Sequence, residues 1–468
     1  MKIMKNQLYL LLILSCFLFL ACHKEDEFLD KKPRISLLTP TTLNDYQKLL
    51  YNEGLFNSAN SPALGAITSE EYYVTPAYWA GRGILDRNLY IFKEGDIYES
   101  STSFSAWETP YTQVYYANTV LDGISKLTIT PDQQTLYNQI KGQALFFRSF
   151  AFYNLVETFA LPFDSATASS DLGIPLRLSS DFNVPIQRST VKQTYDRILS
   201  DLNVALDILP VTTAYPTQPT KIAGTALLAR IYLAMRNYPK ALEYASATLT
   251  MNNALVDYNT LTPTNTYLSA TYLKEDIFQT LLQVGGGIYS FNGSTMVDSA
   301  LYNLYDDPND LRKTVCYRIN AGRVEWRGTY AVGGIVSKYC GLATDEMYLI
   351  RAECFARMGN LSGAMADVNT LLRARWKKVG VVSTYIDKTA SSASAALTFI
   401  LRERRKELPF RGLRWTDIRR LNFEPGFQTT LKRVLNDLAY ILPPGDPRFA
   451  MPIPPDEIQL SGIPQNNR

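Results

Sequence analysis

Two stretches of this chain repeat each other. Ala229, Tyr232, Asn237, Ala241, Ala245 and Leu249 are matched, at one constant offset, by Ala352, Phe355, Asn360, Ala364, Val368 and Leu372. Each set follows helical spacing on either side of a short break, at Arg236 to Pro239 in the first and Met358 to Leu361 in the second. Each therefore describes two helices joined by a tight turn. Small residues at Ala229, Ala241, Ala352 and Ala364 let the paired helices approach closely. The fold class this predicts is mostly α.

The spacing resembles the tetratricopeptide repeat, without the full tryptophan, glycine and proline signature. Other helices are expected around it. Thr42 to Leu55 carries Leu43, Tyr46, Leu49 and Leu50 on one stripe, and Trp107, Tyr111, Tyr115 and Leu121 follow in a second. Pro131 opens a long helix through Leu155, Ser189 caps another through Leu209, and Ala395 to Glu407 forms a charged one. The expected body spans residues 41–468, with its scaffold mainly at 105–250 and 345–421. The proline-rich end, Leu442 to Pro464, is expected to run extended across that body. Residues 57–99 and 251–344 break the helical rhythm with prolines, glycines and aromatics, so they read as loop-rich regions with short strands. Loops held by a rigid scaffold commonly carry function, so these two regions are the expected ligand-binding ones.

The amino terminus has its own logic. Lys2 and Lys5 precede an almost wholly apolar run from Leu8 to Leu20, followed by Ala21 and Cys22. This is the layout of a lipoprotein signal peptide, residues 1–21, cut before a cysteine that takes lipid; Phe19 departs from the leucine usual at its position. Two or more acyl chains, palmitate among them, give stable anchoring where one is marginal. Residues 22–40, with His23, Lys24, Glu25, Asp26 and Glu27, read as a tether, and its acids resemble an export signal to the outer face of the outer membrane.

Composition excludes several chemistries. His23 is the only histidine, so Ser-His-acid and Cys-His catalysis and histidine-ligated metals are absent from the body; carboxylate-only chemistry stays open. The formal charge of +3 includes two lysines lost with the signal, which removes the electrostatic case for nucleic acid. Beyond Cys16 and Cys22, Cys316, Cys340 and Cys354 allow at most one disulfide, and Cys354 sits in an apolar helical run as a buried thiol. Asp306, Asp307, Asn309 and Asp310 read as turn chemistry, not as a calcium loop, and Gly285 to Gly287 lacks the lysine of a phosphate loop. No metal and no cofactor are expected.

Five segments taken in order carry a wider resemblance: Lys141 to Arg148, Ala226 to Leu233, Asp345 to Glu353, Glu403 to Leu408 with Gly412 to Asp417, and Pro452 to Ile458. Together they resemble the SusD/RagB family of outer-membrane glycan-binding lipoproteins over nearly the whole mature chain. Gln143 stands where that family usually has glutamate, and Pro409-Phe410 replaces part of its usual context before Arg414. The arginines and acids of these motifs suit partly buried pairs that lock helices together.

The resemblance implies a single SusD-like body. It further implies a non-catalytic surface receptor that captures oligosaccharides and passes them to a SusC-like TonB-dependent transporter, acting as a lid over that barrel. Sugar rings present apolar faces that flat aromatics cover. Tyr72, Tyr73, Tyr78 and Trp79 form one candidate cluster and Tyr289, Phe291, Trp326 and Tyr330 a second, with Arg82, Asn292 and Arg327 as hydroxyl partners. Capture of peptides or glycopeptides, a two-carboxylate surface glycosidase and a purely structural repeat lipoprotein are the alternative readings.

Overall fold

A computed structural model describes residues 40–58, 61–99, 104–264, 268–283, 287–290, 294–332 and 338–468. The signal peptide, Cys22 and the tether lie outside the described residues, as do Gly285, Gly286, Phe291 and Asn292.

The repeat folds as two helical hairpins. In the first, α5 (Lys221–Ala234) precedes α6 (Tyr238–Met251); in the second, α7 (Thr344–Arg357) precedes α8 (Leu361–Arg373). Their turns are alike atom for atom. Asn237 N–H donates to the Tyr232 carbonyl and Asn360 N–H to the Phe355 carbonyl, both at 2.8 Å, closing a Schellman turn through a left-handed residue. That residue is Gly359 at φ 79° in the second hairpin and Arg236 at φ 59° in the first, where a side chain makes the conformation costlier. Each asparagine then caps the next helix, accepting from Lys240 N–H at 3.2 Å and Gly363 N–H at 2.9 Å. The four predicted alanines are fully buried between the helices.

Ahead of the hairpins come α1 (Leu43–Leu50), α2 (Ser105–Ile124), α3 (Gln134–Phe159) and α4 (Val191–Ile208); after them come α9 (Ala393–Glu407) and α10 (Leu413–Leu421). Helix α3 is apolar on most of its circumference, Phe146, Phe147, Phe150 and Phe152 included, and it lies at the centre of the main core, as an all-round apolar helix must. Several boundaries differ from the sequence reading, two of them for a plain reason. The first helix stops at Leu50, and Asn52 caps a separate turn, Glu53–Phe56. Thr190, not Ser189, caps α4: Thr190 has Gln193 three residues on and closes a capping box, while the Ser189 hydroxyl is spent on the Ile174 carbonyl. The proline-rich end is mostly extended but includes the short helix Pro455–Ser461. It crosses the body through Met451 N–H to the Thr158 carbonyl and the Tyr98 hydroxyl to the Pro452 carbonyl.

Arginine–carboxylate pairs tie these helices together. Arg148 grips Asp201 at 2.8 and 2.9 Å, joining α3 to α4. Arg230 grips Glu346 at 2.9 and 2.6 Å, joining the hairpins, and Arg420 grips Glu353 at 2.6 and 2.8 Å, joining α10 to α7. Arg312 and Arg375, both outside the sequence motifs, are fully buried. Arg312 holds Asp310, Glu403 and Glu407; Arg375 holds Glu407 and Glu275. Asp310, on the acidic turn, is thus an ion-pair partner inside the core. Cys316, Cys340 and Cys354 are free, buried thiols, and burial raises Cys340 to about 11 and Cys316 to about 12.

Candidate ligand-binding site

The two loop-rich regions meet. Strand Tyr72–Val74 pairs antiparallel with Thr295–Val297, with Tyr72 opposite Val297 and Tyr73 opposite Met296. Strand alternation then sorts the aromatics: Tyr72 and Val74 face the core while Tyr73 is 43% exposed. Thr75 caps the next turn, accepting from Tyr78 N–H at 3.2 Å, and Pro76 occupies the first helical position. The resulting helix, Pro76–Ala80, buries none of its residues fully, so Tyr78 and Trp79 stay half-buried at the surface.

Two arginines lie against these rings. The Arg82 guanidinium sits 4.3 Å from the Tyr78 centroid and Arg87 5.9 Å from that of Trp79. The Trp79 indole N–H donates to the Arg87 carbonyl at 3.1 Å, which fixes the ring's orientation. Among the described residues, the Tyr78 hydroxyl, Arg82 Nε and Arg87 Nε have no hydrogen-bond partner. Orphaned polar atoms of this kind are costly unless something else satisfies them. Immediately along the chain, a 230 Å³ cavity is lined by Gly83, Asp86, Tyr98, Gln283 and Tyr289. Asp86 accepts Ile288 N–H at 2.9 Å, and burial raises its carboxyl; Gln283 Oε1 is another orphaned acceptor.

The predicted second cluster is placed differently. Tyr289 is buried edge-on to Tyr72 at 5.1 Å, with its hydroxyl 3.3 Å from Glu71. Trp326, on strand Arg323–Trp326, packs against Tyr317 at 5.1 Å and Phe410 at 5.2 Å. The Tyr330 hydroxyl lies 2.7 Å from Glu275 and 3.2 Å from Asp345, with Arg411 over its ring. All three rings are buried in the main core, whereas Tyr73 is exposed and Tyr78 and Trp79 are half-buried. Arg327 spends its guanidinium on the carbonyls of Val315, Thr264 and Thr314.

Sequence reasoning missed the acids that hold this face to the helices. Glu70 pairs with Arg414 and Arg405; burial alone would raise its carboxyl, but the two guanidiniums bring it down to about 2. Next to it, Glu71 accepts Phe410 N–H at 3.0 Å, and burial raises it to about 7. The signal was an acidic pair directly before an aromatic run. Phe410, the departure noted beside Pro409, stands at φ 61° and packs against both Tyr289 and Trp326.

Known proteins resemble this chain in sequence and in fold. A family model described as starch-binding and associating with the outer membrane matches residues 27–233, and a SusD family model matches residues 344–465. SusD-like protein P2 of Formosa agariphila is 29% identical over 140 residues, which are 30% of this chain and 25% of that protein. The matched stretch therefore spans a quarter of that curated relative. A Bacteroides vulgatus structure named for sugar binding superposes with TM-score 0.73 at 21% identity, covering 92% of this chain and 99% of that one. A SusD superfamily protein from Bacteroides thetaiotaomicron gives 0.68 at 22% identity over 91% and 100% of the two chains. A SusD-like carbohydrate-binding protein from Bacteroides vulgatus gives 0.65 at 20% identity over 90% and 97%. At such identities the structural likeness shows the fold.

Proposed function

The chain belongs to the SusD/RagB family of carbohydrate-binding proteins, and on that footing we propose that it is a non-catalytic receptor on the cell surface. It captures oligosaccharides and delivers them to a partner TonB-dependent outer-membrane transporter of the SusC-like kind. The observation that carries this reading is the pair of half-buried rings at the surface, Tyr78 and Trp79, with the guanidiniums of Arg82 and Arg87 against them and exposed Tyr73 just before them in the chain.

In this reading the apolar face of a sugar ring lies on Trp79 and Tyr78, where the indole is already oriented by its bond to the Arg87 carbonyl. Ligand hydroxyls accept from the guanidiniums of Arg82 and Arg87, residues that are only partly buried beside those rings. Tyr289, Trp326 and Tyr330 stay buried in the core. No covalent step takes part. Lipid on Cys22 holds the receptor at the outer membrane, and residues 22–40 give the slack that opening and closing over a barrel requires. None of the described helices is long and apolar enough to cross a membrane, which suits attachment by lipid.

The delivery step is tested by purifying the lipidated protein from its native membranes under mild detergent. A co-purifying large β-barrel is the expected result. Repeated recovery of the lipoprotein alone, under conditions that keep comparable assemblies intact, would remove the delivery half of the proposal.

A further inference from the structure

Away from the Trp79 surface, a second cleft opens along α2. Trp107, Tyr111 and Tyr115 recur every four residues and so share one face of that helix. Trp107 is buried against Phe159, so Tyr111 and Tyr115 are the accessible rings, about 6 Å apart along the axis at the helical rise of about 1.5 Å per residue. Trp107 and Tyr111 stack at a tilt, 4.8 Å between centroids, and Tyr115 leaves 47% of its surface exposed. A stripe whose purpose was core packing would be covered along its length; this one emerges into a 380 Å³ cleft.

The opposite wall is the segment from Pro175 to Ile186, and it is fastened to α2 at several points. The Tyr111 hydroxyl donates to the Pro175 carbonyl at 2.9 Å, and Asn118 Nδ2 donates to the carbonyls of Arg177 and Ser179 at 2.9 and 3.2 Å. Asp122 accepts Ser180 N–H at 2.7 Å. Asn118 is itself held by Arg148, one of the clamps of the helical frame. The walls are thus set before any ligand arrives, which lowers the ordering cost of binding.

The cleft also offers uncommitted polar groups of both signs. Arg177 uses only Nη1, on the Val184 carbonyl at 3.1 Å. Glu108 makes no ion pair among the described residues, and Glu457 takes the Trp107 indole N–H on Oε2 at 3.3 Å, leaving its other oxygen. Carboxylates that accept and a guanidinium that donates, around an aromatic floor, suit a ligand with many hydroxyls and no net charge. Past Pro175 and Arg177 the cleft continues into a neighbouring groove of 630 Å³ that shares those residues, so a chain longer than the stripe has somewhere to run.

We propose that this cleft is a second oligosaccharide-binding site, which seats neutral hexose rings on Tyr111 and Tyr115 and hydrogen-bonds them through Arg177, Glu108 and Glu457. The proposal rests on the reading of the chain as an oligosaccharide receptor, and it is independent of whether the Trp79 surface is where capture occurs.

The test titrates the full mature chain calorimetrically with maltohexaose, cellohexaose and mannohexaose, comparing wild type with Tyr115→Ala, Arg177→Ala and Trp79→Ala. The first two positions are partly exposed, and unchanged melting temperatures confirm that each variant folds. The expected result is a two-site isotherm for at least one hexasaccharide. Tyr115→Ala and Arg177→Ala should each weaken one site about tenfold and spare the other. Loss in Tyr115→Ala with none in Trp79→Ala would keep the cleft and remove the Trp79 surface as a site. A one-site isotherm lost in Trp79→Ala and unmoved by both cleft variants overturns the second site while leaving the first. Absence of binding by all three sugars to the wild type overturns the cleft proposal as well.

Discussion

The helical frame pairs its arginines with carboxylates, and among the described residues Arg82 and Arg87 of the aromatic face have no such pair. In the frame, guanidiniums grip carboxylates with two bonds inside the core, as Arg420 does with Glu353 and Arg148 with Asp201. On the face, Arg82 and Arg87 lie against Tyr78 and Trp79 and leave Nε without an acceptor. Bidentate pairing satisfies the charge and fixes the distance between two helices. Stacking holds the guanidinium in place without committing it to a carboxylate. One residue type therefore cross-links helices in one region and lies against aromatic rings in the other.

The largest effect should come from breaking the frame. Arg375→Met leaves Glu275 buried without its guanidinium and Glu407 with Arg312 alone, and the expected loss is about 3–5 kcal/mol in urea unfolding. A loss below about 1 kcal/mol would mean the clamp is dispensable and the contrast with the face is overstated. The seam between the regions comes next. Gly65 sits in the short helix Leu64–Thr68, and a Cβ there would overlap the Trp415 ring of α10, so Gly65→Ala should cost about 1–3 kcal/mol. A neutral substitution would show that the face is free to shift against the frame.

Glu71 sharpens the comparison through pH. Its folded carboxyl is raised to about 7 from an ordinary value near 4.5, so the folded state holds the proton more tightly than the unfolded chain. Stability from this group is present below about pH 4.5 and is lost as pH rises towards 7. Glu71→Gln should flatten that fall, by about 1–2 kcal/mol between pH 5 and 7.5, in thermal melts across the range. An identical slope in variant and wild type would place the dependence elsewhere, Glu275 being the next buried carboxyl raised to about 7. The smallest effect is expected at the face itself. Tyr73→Ala, at a ring 43% exposed, should leave stability within about 0.5 kcal/mol of wild type and lower glycan affinity two- to threefold.

The frame was the more legible of the two regions. The constant offset between Asn237 and Asn360 located both turns, and the buried alanines lay where the repeat put them. Periodicity names the face a residue occupies but not its distant partner, so Glu70 with Arg414, and Arg312 with Glu403, came only from the fold. The aromatic residues were harder for a related reason. A ring on a short strand points inward or outward according to register, and register depends on a partner far along the chain. Tyr72 and Tyr73 are adjacent, yet one is core and the other surface. Tyr289, Trp326 and Tyr330 have the composition expected of a binding surface, but they are buried in contact with Glu71, Phe410 and Glu275.

The claim that the face captures sugar without changing it is tested most directly at Trp79. Wild type and Trp79→Ala are incubated with a binding oligosaccharide, affinity is measured by titration, and the sugar recovered afterwards is sized by chromatography. The expected result is about tenfold weaker binding in the variant at unchanged melting temperature, with every recovered chain at its starting length. Equal affinity in the two proteins would contradict the site, and shortened chains from wild type would contradict a receptor that only binds.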